Sequence, residues 1–462
     1  MNKLLWEKLL SPSRRKEKNH SGEAMQTGVG RQEMERDYDR VLFLAPTRRL
    51  ADKTQVFPME VNDSVRTRLT HSHEVSNLAR SIGTRLVYNH RHEVFGEEMQ
   101  NAPLERLVPP MLAAVGLAHD LGNPPFGHQG EKAIRKWFKD HNHEKFEPHS
   151  DFLQFDGNGQ TFRLLTKLQI LRDEYGLNLT CGSLAALLKY PVFHNSEASP
   201  FKKWGVFESE RNAADEVWDE VGLVEGQRHP LAYVMEACDD IAYSVIDAED
   251  TVKKGYASFN DLIDFLLQDP DEAIGAVVTA SQEQNEKFKQ VSLSSAELND
   301  LSMQMFRVKA IAVMVTDATE AFVQNIGSIM AGEDVGNLEL IESSKSATLC
   351  KRLKAFDYRF GFRHPDVLKL ELEGSNYIQQ TMSLLWKGIH GEAAGDPFGQ
   401  YAYGRISENY RRVYESTEKT QYDKCQLLCD SISGMTEKYL ISLHDELAAL
   451  EHGRNSSNPL HS

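Results

Sequence analysis

His119 and Asp120 stand side by side at the end of an apolar run, Met111 to Leu117, and a turn holding Gly122, Pro124, Pro125 and Gly127 then delivers His128 and Glu131. An imidazole nitrogen and a carboxylate oxygen are what a hard or borderline divalent cation takes, so the adjacent pair is a candidate half of a metal site. A His-Asp dipeptide is common by itself. Here the Gly/Pro punctuation prescribes a tight backbone path that a plain surface loop does not need. His128 and Glu131 are three residues apart and share a face if a helix starts at Gly127. A carboxylate beside an imidazole suits proton transfer near neutral pH. Cys425 and Cys429, four apart on a helical pattern, read as core packing and not as thiol chemistry.

Helices must position these groups. An i, i+3, i+4, i+7 stripe of Val75, Leu78, Ala79, Ile82 and Leu86 predicts a first strong helix starting near His71. His73, two residues on, would point about 200° away from His71. A second helix is expected from Pro109 to His119, with its prolines in the first turn, where amides lack partners anyway. A third is expected over Glu131 to Asp140. Leu231 to Val252 reads as a long helix on which Asp239, Tyr243 and Asp247 follow at four-residue spacing and share a face, while Asp240 points elsewhere. The segment His141 to Gly159 is loop by composition, and His141, His143 and His149 read as solvated. Strand signals are few, so the expected class is all-α with at most a small β-hairpin. Residues 1–35 read as a mobile N-terminal arm, and 332–346, acidic and Gly/Ser-containing, as a hinge.

With 462 residues and 40% hydrophobic content the chain can bury a large core, and its net charge of −16 argues against a general nucleic-acid coat. Five cysteines without a CxxC pair point to a reducing cytoplasm. No apolar run approaches the roughly 18 residues of a membrane span, and the N-terminus lacks a secretory pattern.

Seven stretches carry a resemblance: Thr47 to Pro58 (TRRLADKTQVFP), Arg66 to Val75 (RTRLTHSHEV), the AHDLGNPPFGHQGE run, Phe155 to Arg163 (FDGNGQTFR), Leu187 to Pro191 (LLKYP), Met235 to Asp250 (MEACDDIAYSVIDAED) and Ser433 to Tyr439 (SGMTEKY). In this order they resemble the dGTPase-like deoxynucleoside triphosphate triphosphohydrolases of the HD superfamily. One departure is visible, where the family's usual Glu-Gly-Asn-Ala-Gln is Asp156-Gly-Asn-Gly159-Gln here. The resemblance implies an HD-domain helical core and four metal ligands, His71, His119, Asp120 and Asp239, around one divalent ion, Mn²⁺, Mg²⁺, Co²⁺, Fe²⁺ or Ni²⁺. It implies triphosphate contacts from Arg68 and Lys189, Asn158 near the reacting phosphate, Gln55 on the 3′ hydroxyl, and Tyr243 and Asp247 facing the deoxyribose. His128 with Glu131 is the implied catalytic pair, His128 acting as acid/base or transient nucleophile. Arg66 ranks below Arg68 as a phosphate contact.

The implied reaction is metal-dependent hydrolysis of dGTP or dNTPs more broadly, releasing deoxynucleoside and inorganic triphosphate. Other readings are another HD-type nucleotide phosphohydrolase and a nucleotide-sensing, non-catalytic assembly. Implied partners are a dNTP, further copies of the chain in a homo-oligomer such as a hexamer, and single-stranded DNA as an effector, with no membrane. The expected division is 1–35 arm, 36–255 catalytic core, 256–345 helical extension, and 346–462 a C-terminal helical region completing the site or making oligomer contacts.

Overall fold

A computed structural model describes residues 3–19, 30–57, 65–141, 151–169, 173–194, 196, 201–332, 338–393 and 395–456. Among them there is no strand, only three isolated bridges, so the fold is all-α. Helix Arg68–Asn89 starts three residues before the expected His71 because Thr67 caps it, its N–H donating to Thr70 Oγ1 at 3.1 Å. Arg68 and His71 therefore share the first turn. Val75, Ala79, Ile82 and Leu86 of its predicted stripe are at most 1% exposed.

Helix Leu104–Ala118 lies along it. Small residues let the two backbones close: a Cβ on Gly116 would sit 2.8 Å from Ser76 Cα, and Ser76 Oγ donates to the Ala113 carbonyl at 2.7 Å. This helix begins five residues earlier than expected, so Pro109 and Pro110 are interior and not in a first turn. Burial of Leu104 and Val108 extends the apolar face upstream and outweighs the proline penalty.

Helix Pro230–Lys253 runs through the centre, buried on nearly every side. Its N-cap, His229, accepts the Leu231 N–H on Nδ1 at 3.1 Å and faces the Leu9 carbonyl with Nε2 at 3.0 Å. That arrangement needs a neutral ring, and burial pushes His229 down to about 4. The Leu9 contact corrects the expected mobile arm: over 3–19 the chain forms Trp6–Leu9 and Arg15–Asn19, with Leu4, Trp6, Leu9 and Arg14 buried. Trp6 Nε1 donates to the Val94 carbonyl at 2.7 Å. Residues 1–2 and 20–29 of that expected arm, His143 and His149, and 333–337 of the expected hinge lie outside the described residues. His141 is not simply solvated, since its ring stacks on Trp137 with centroids 4.2 Å apart.

Helix Gly127–Asp140 starts after Phe126, whose φ of 61° is left-handed, a conformation costing a non-glycine residue about 1–2 kcal/mol. Helix Pro365–Ala393 covers it, and Gly374 is required there because a Cβ would come within 2.6 Å of the Phe126 ring. Helices Gln421–Ser433 and Glu437–Ser456 pack against that helix in turn. Arg163 anchors the first of these to the core, donating to Asp430 at 2.8 Å and to Glu210 at 2.6 Å. All three side chains are buried. Removing the guanidinium would strand two carboxylates, so Arg163→Met is expected to cost about 3–5 kcal/mol in urea unfolding. A loss under about 1 kcal/mol would contradict that account.

Candidate functional site

Three helices converge on one cluster. The first turn of the 68–89 helix brings His71, the end of the 104–118 helix brings His119 and Asp120, and the middle of the 230–253 helix brings Asp239. Asp239 Oδ1 lies 3.1 Å from His71 Nε2 and 3.4 Å from His119 Nε2, and Asp120 Oδ1 lies 3.6 Å from the latter. Donor atoms of His71, His119 and Asp120 all fall within 4.8 Å of one another. His119 Nδ1 sits 2.7 Å from the Gly116 carbonyl, which fixes the proton on Nδ1 of the neutral ring and turns the Nε2 lone pair toward the cluster. His119 Nε2 is buried and makes no hydrogen bond among the described residues. Burial works against its imidazolium, yet the carboxylates of Asp120 and Asp239 prevail and raise it to about 9. Burial likewise opposes the ionised Asp239, while His119 and His71 hold it well below the usual carboxylate range. A buried Nε2 left without a hydrogen bond beside two carboxylates, with no thiolate, fits a divalent cation of oxygen and nitrogen preference, which would take the place of the proton there.

The cluster forms part of the wall of a cavity of about 790 Å³. His128, Glu131, Gln55, Arg68, Asn158, Lys189 and Tyr243 line the same cavity. His128 Nδ1 is 3.2 Å from Glu131 Oε2, and the other Glu131 oxygen accepts the Gly157 N–H at 2.8 Å. The His128 side chain is 69% exposed and Glu131 5%, so the imidazole reaches outward from a fixed base. Arg68 pairs with Asp120, and Gly127 gives it room, since a Cβ there would lie 2.2 Å from the guanidinium. Lys189 meets Glu236 at 3.2 Å; burial opposes its charge, but Glu236 carries it above the ordinary lysine range. Asn158 donates to Asp156 at 2.6 Å. Gln55 Oε1 is buried with no hydrogen bond among the described residues, and Tyr243 stacks on Phe362 with centroids 5.9 Å apart.

Asp247 is the exception among the expected site residues. It is 1% exposed and does not line the cavity; burial, reinforced by Asp250, raises it well above the usual carboxylate range. Arg66 is held by Glu74, Glu249 and Asp250 at 3.0, 2.5 and 2.5 Å, and also stays out of the wall. Asp240, expected to point elsewhere, lines the same cavity, where Lys354 draws its carboxylate to 2.7 Å, whereas His73 is exposed and faces a different cavity.

A protein of Listeria monocytogenes named deoxyguanosinetriphosphate triphosphohydrolase-like protein is 32% identical, the alignment covering 96% of this chain and 99% of that one. The chain belongs to the dGTPase-like family. A Synechocystis relative with the same name is 31% identical over 90% of this chain and 93% of its own. A Yersinia pestis relative named deoxyguanosinetriphosphate triphosphohydrolase is 30% identical over 90% and 94%. The family model described as phosphohydrolase-associated domain matches residues 341–446.

That matched region brings wall residues not singled out from sequence: Lys354, Tyr358, Phe362, Arg363 and Glu371. Their signal is the basic and aromatic run Lys354 to Arg363, which a π-helical turn over Asp357–Phe362 coils against the 230–253 helix. Lys53 also escaped notice. Its Nζ is buried and donates to the Asn123 and Ser433 carbonyls, both at 2.6 Å, and burial, with Arg68 and Arg49 adding, pushes it down to about 7. A neutral amine supplies those two donors without a buried charge. Below about 7 both folded and unfolded chains carry the proton; between there and 10.5 only the unfolded chain does, so this group makes stability rise with pH across that window. Unfolding free energies of wild type minus Lys53→Met should increase over that window, and a flat difference would refute the assignment.

Proposed function

We propose that this chain hydrolyses deoxynucleoside triphosphates, dGTP or a broader set, to deoxynucleoside and inorganic triphosphate. The observation that carries the reading is one cavity holding the His71, His119, Asp120 and Asp239 cluster, the His128–Glu131 pair and six cationic side chains, Arg68, Lys132, Lys189, Lys203, Lys354 and Arg363, in a chain of net charge −16. A triphosphate is the kind of ligand that rewards such local charge, with the guanidinium of Arg68 able to reach two oxygens and Lys189 acting as a point charge. A divalent ion of manganese, magnesium, cobalt, iron or nickel, held by His71, His119, Asp120 and Asp239, would supply Lewis-acid polarisation of phosphate oxygens.

The chain's own groups do the rest. Glu131 accepts the Nδ1–H of His128, and its Nε2–H passes to the departing 5′ oxygen; water oxygen bonds to the α-phosphorus as the bond from phosphorus to the 5′ oxygen breaks, and a proton of that water passes to solvent. A transient bond from His128 to phosphorus is the other form of the same role. Asn158 stands beside this point, and Gln55, with its unsatisfied oxygen, would accept the sugar's 3′ hydroxyl. Tyr243 stacked on Phe362 closes the space a 2′ hydroxyl would need, and Asp247 supports that face from beneath. Residues 36–255 then act as catalytic core and 346–462 as the region that completes the site. A homo-oligomer, a hexamer among its forms, fits the exposed Phe43, Tyr88 and Leu372, and single-stranded DNA is carried as an effector by the family resemblance. Among the described residues no helix is long and apolar enough to cross a membrane, and five buried cysteines suit the cytoplasm.

Incubation with each dNTP and chromatography of the products tests the reading: triphosphate is expected, whereas pyrophosphate or orthophosphate would overturn it. His128→Ala should lower turnover about 10²–10⁴-fold while nucleotide and Mn²⁺ binding, followed calorimetrically, persist. Chelation should abolish turnover and added Mn²⁺ restore it; turnover indifferent to chelation would remove the metal from the proposal.

A further inference from the structure

The SGMTEKY stretch, Ser433 to Tyr439, has no part in the reaction as proposed, yet it touches both halves of the site. Glu437 opens the 437–456 helix and is 4% exposed. Its Oε1 accepts the Thr54 N–H at 2.8 Å and the Phe126 N–H at 3.1 Å, and its Oε2 accepts the Thr54 hydroxyl at 2.5 Å. Thr54 immediately precedes Gln55. Phe126 is the left-handed residue two before His128. A single carboxylate thus ties the segment presenting Gln55 to the turn presenting His128.

Neighbouring bonds point the same way. Lys53 Nζ bridges the Ser433 carbonyl to that of Asn123, whose side-chain amide donates to Asp120 Oδ1 at 2.6 Å. Arg49 donates to the Gly434 carbonyl at 3.1 Å, and Lys438 meets Asp52 at 3.0 Å. The segment from Arg49 to Thr54 is therefore fastened, residue after residue, to the corner between two C-terminal helices.

We infer that Glu437 is a positioning residue that sets Gln55 and His128 relative to one another, so that recognition of the sugar's 3′ hydroxyl and proton delivery at the 5′ oxygen depend on a carboxylate near the C-terminal end of the chain. The inference rests on the roles proposed above for Gln55 and His128. Its chemistry is specific: three donors need oxygen acceptors within reach of both the Thr54 segment and the Phe126 turn. Aspartate is one methylene too short to span them. Glutamine retains a carbonyl for the two amides and can donate its amide to the Thr54 hydroxyl, which is able to accept as well as donate.

The test compares wild type, Glu437→Ala and Glu437→Gln for binding of two dGTP analogues in which a methylene replaces the 5′ oxygen, one with the 3′ hydroxyl and one without it. Neither contains the scissile bond. Wild type is expected to prefer the 3′-hydroxyl analogue by about tenfold, the size of one hydrogen bond to a prepared partner. Glu437→Ala should bring that preference to about one, and Glu437→Gln should restore most of it. In turnover of dGTP itself, Glu437→Ala should lose about 10²-fold in kcat, the range for a misplaced catalytic group. A purely structural role would reduce the folded fraction and leave the binding preference of folded protein unchanged. If Glu437→Ala does not fold, Thr54→Val, which removes only the hydroxyl tie, is read in its place and should roughly halve the preference or more. An unchanged preference in the folded variants, no rescue by glutamine, or a wild type indifferent to the 3′ hydroxyl would each overturn the inference. Wild type that binds with the expected preference but releases no triphosphate would defeat the hydrolase reading and leave the clamp standing.

Discussion

Charge placed at the meeting point of three buried helices governs much of this fold. Asp120 and Asp239 line the cavity, and two buried imidazoles face them. Carboxylates in such a place need partners, because desolvation of an ion costs several kcal/mol unless it is compensated. Arg68 and Asn123 answer Asp120, and the two histidines answer Asp239. The demand propagates along the same helix. Glu236 draws Arg228 and Lys189, Asp240 draws Lys354, and Glu249 and Asp250 draw Arg66. The central helix is thus as much an ionic spine as a hydrophobic one, and Glu236 and Asp240 decide where Lys189 and Lys354 stand around the cavity.

The C-terminal third is bound into that arrangement. Helix Pro365–Ala393 packs on the turn at Phe126, the Lys354 to Arg363 run supplies wall residues, and the corner at Ser433 holds the Thr54 segment from behind. A cavity assembled from segments more than 300 residues apart can keep its shape only while all of them remain docked. Buried ties such as Arg163 to Asp430 keep them so.

The candidate site was legible chiefly through the resemblance of seven stretches to one family, and helical periodicity added relative direction along single elements. One turn of spacing places Tyr243 on the face of Asp239, and about 200° separates His73 from His71. What periodicity cannot specify is the partner across a gap. Nothing local in Arg66 and Arg68 says that the first is consumed by Glu249 and Asp250 while the second faces the cavity. Nor does four-residue spacing reveal that Asp247 lies a layer deeper than Tyr243. The helix before His119 began earlier than its prolines suggested because long-range burial of Leu104 and Val108 outweighed a local preference. The basic and aromatic run from Lys354 to Phe362 marks itself in the sequence, but its partners Asp240 and Tyr243 are more than 100 residues away and only the fold pairs them.

One contact at the start of the chain reaches further than its length suggests. The Leu9 carbonyl is held by His229, the same neutral imidazole whose other nitrogen caps the helix carrying Asp239. Trimming the first nineteen residues would free that ring to rotate or take up a proton, and the loosened helix end lies on the same rod as the cavity's acids. For anyone preparing the protein, an affinity handle is better appended after the final helix than placed ahead of Trp6, where it would pull on a latch of the central helix.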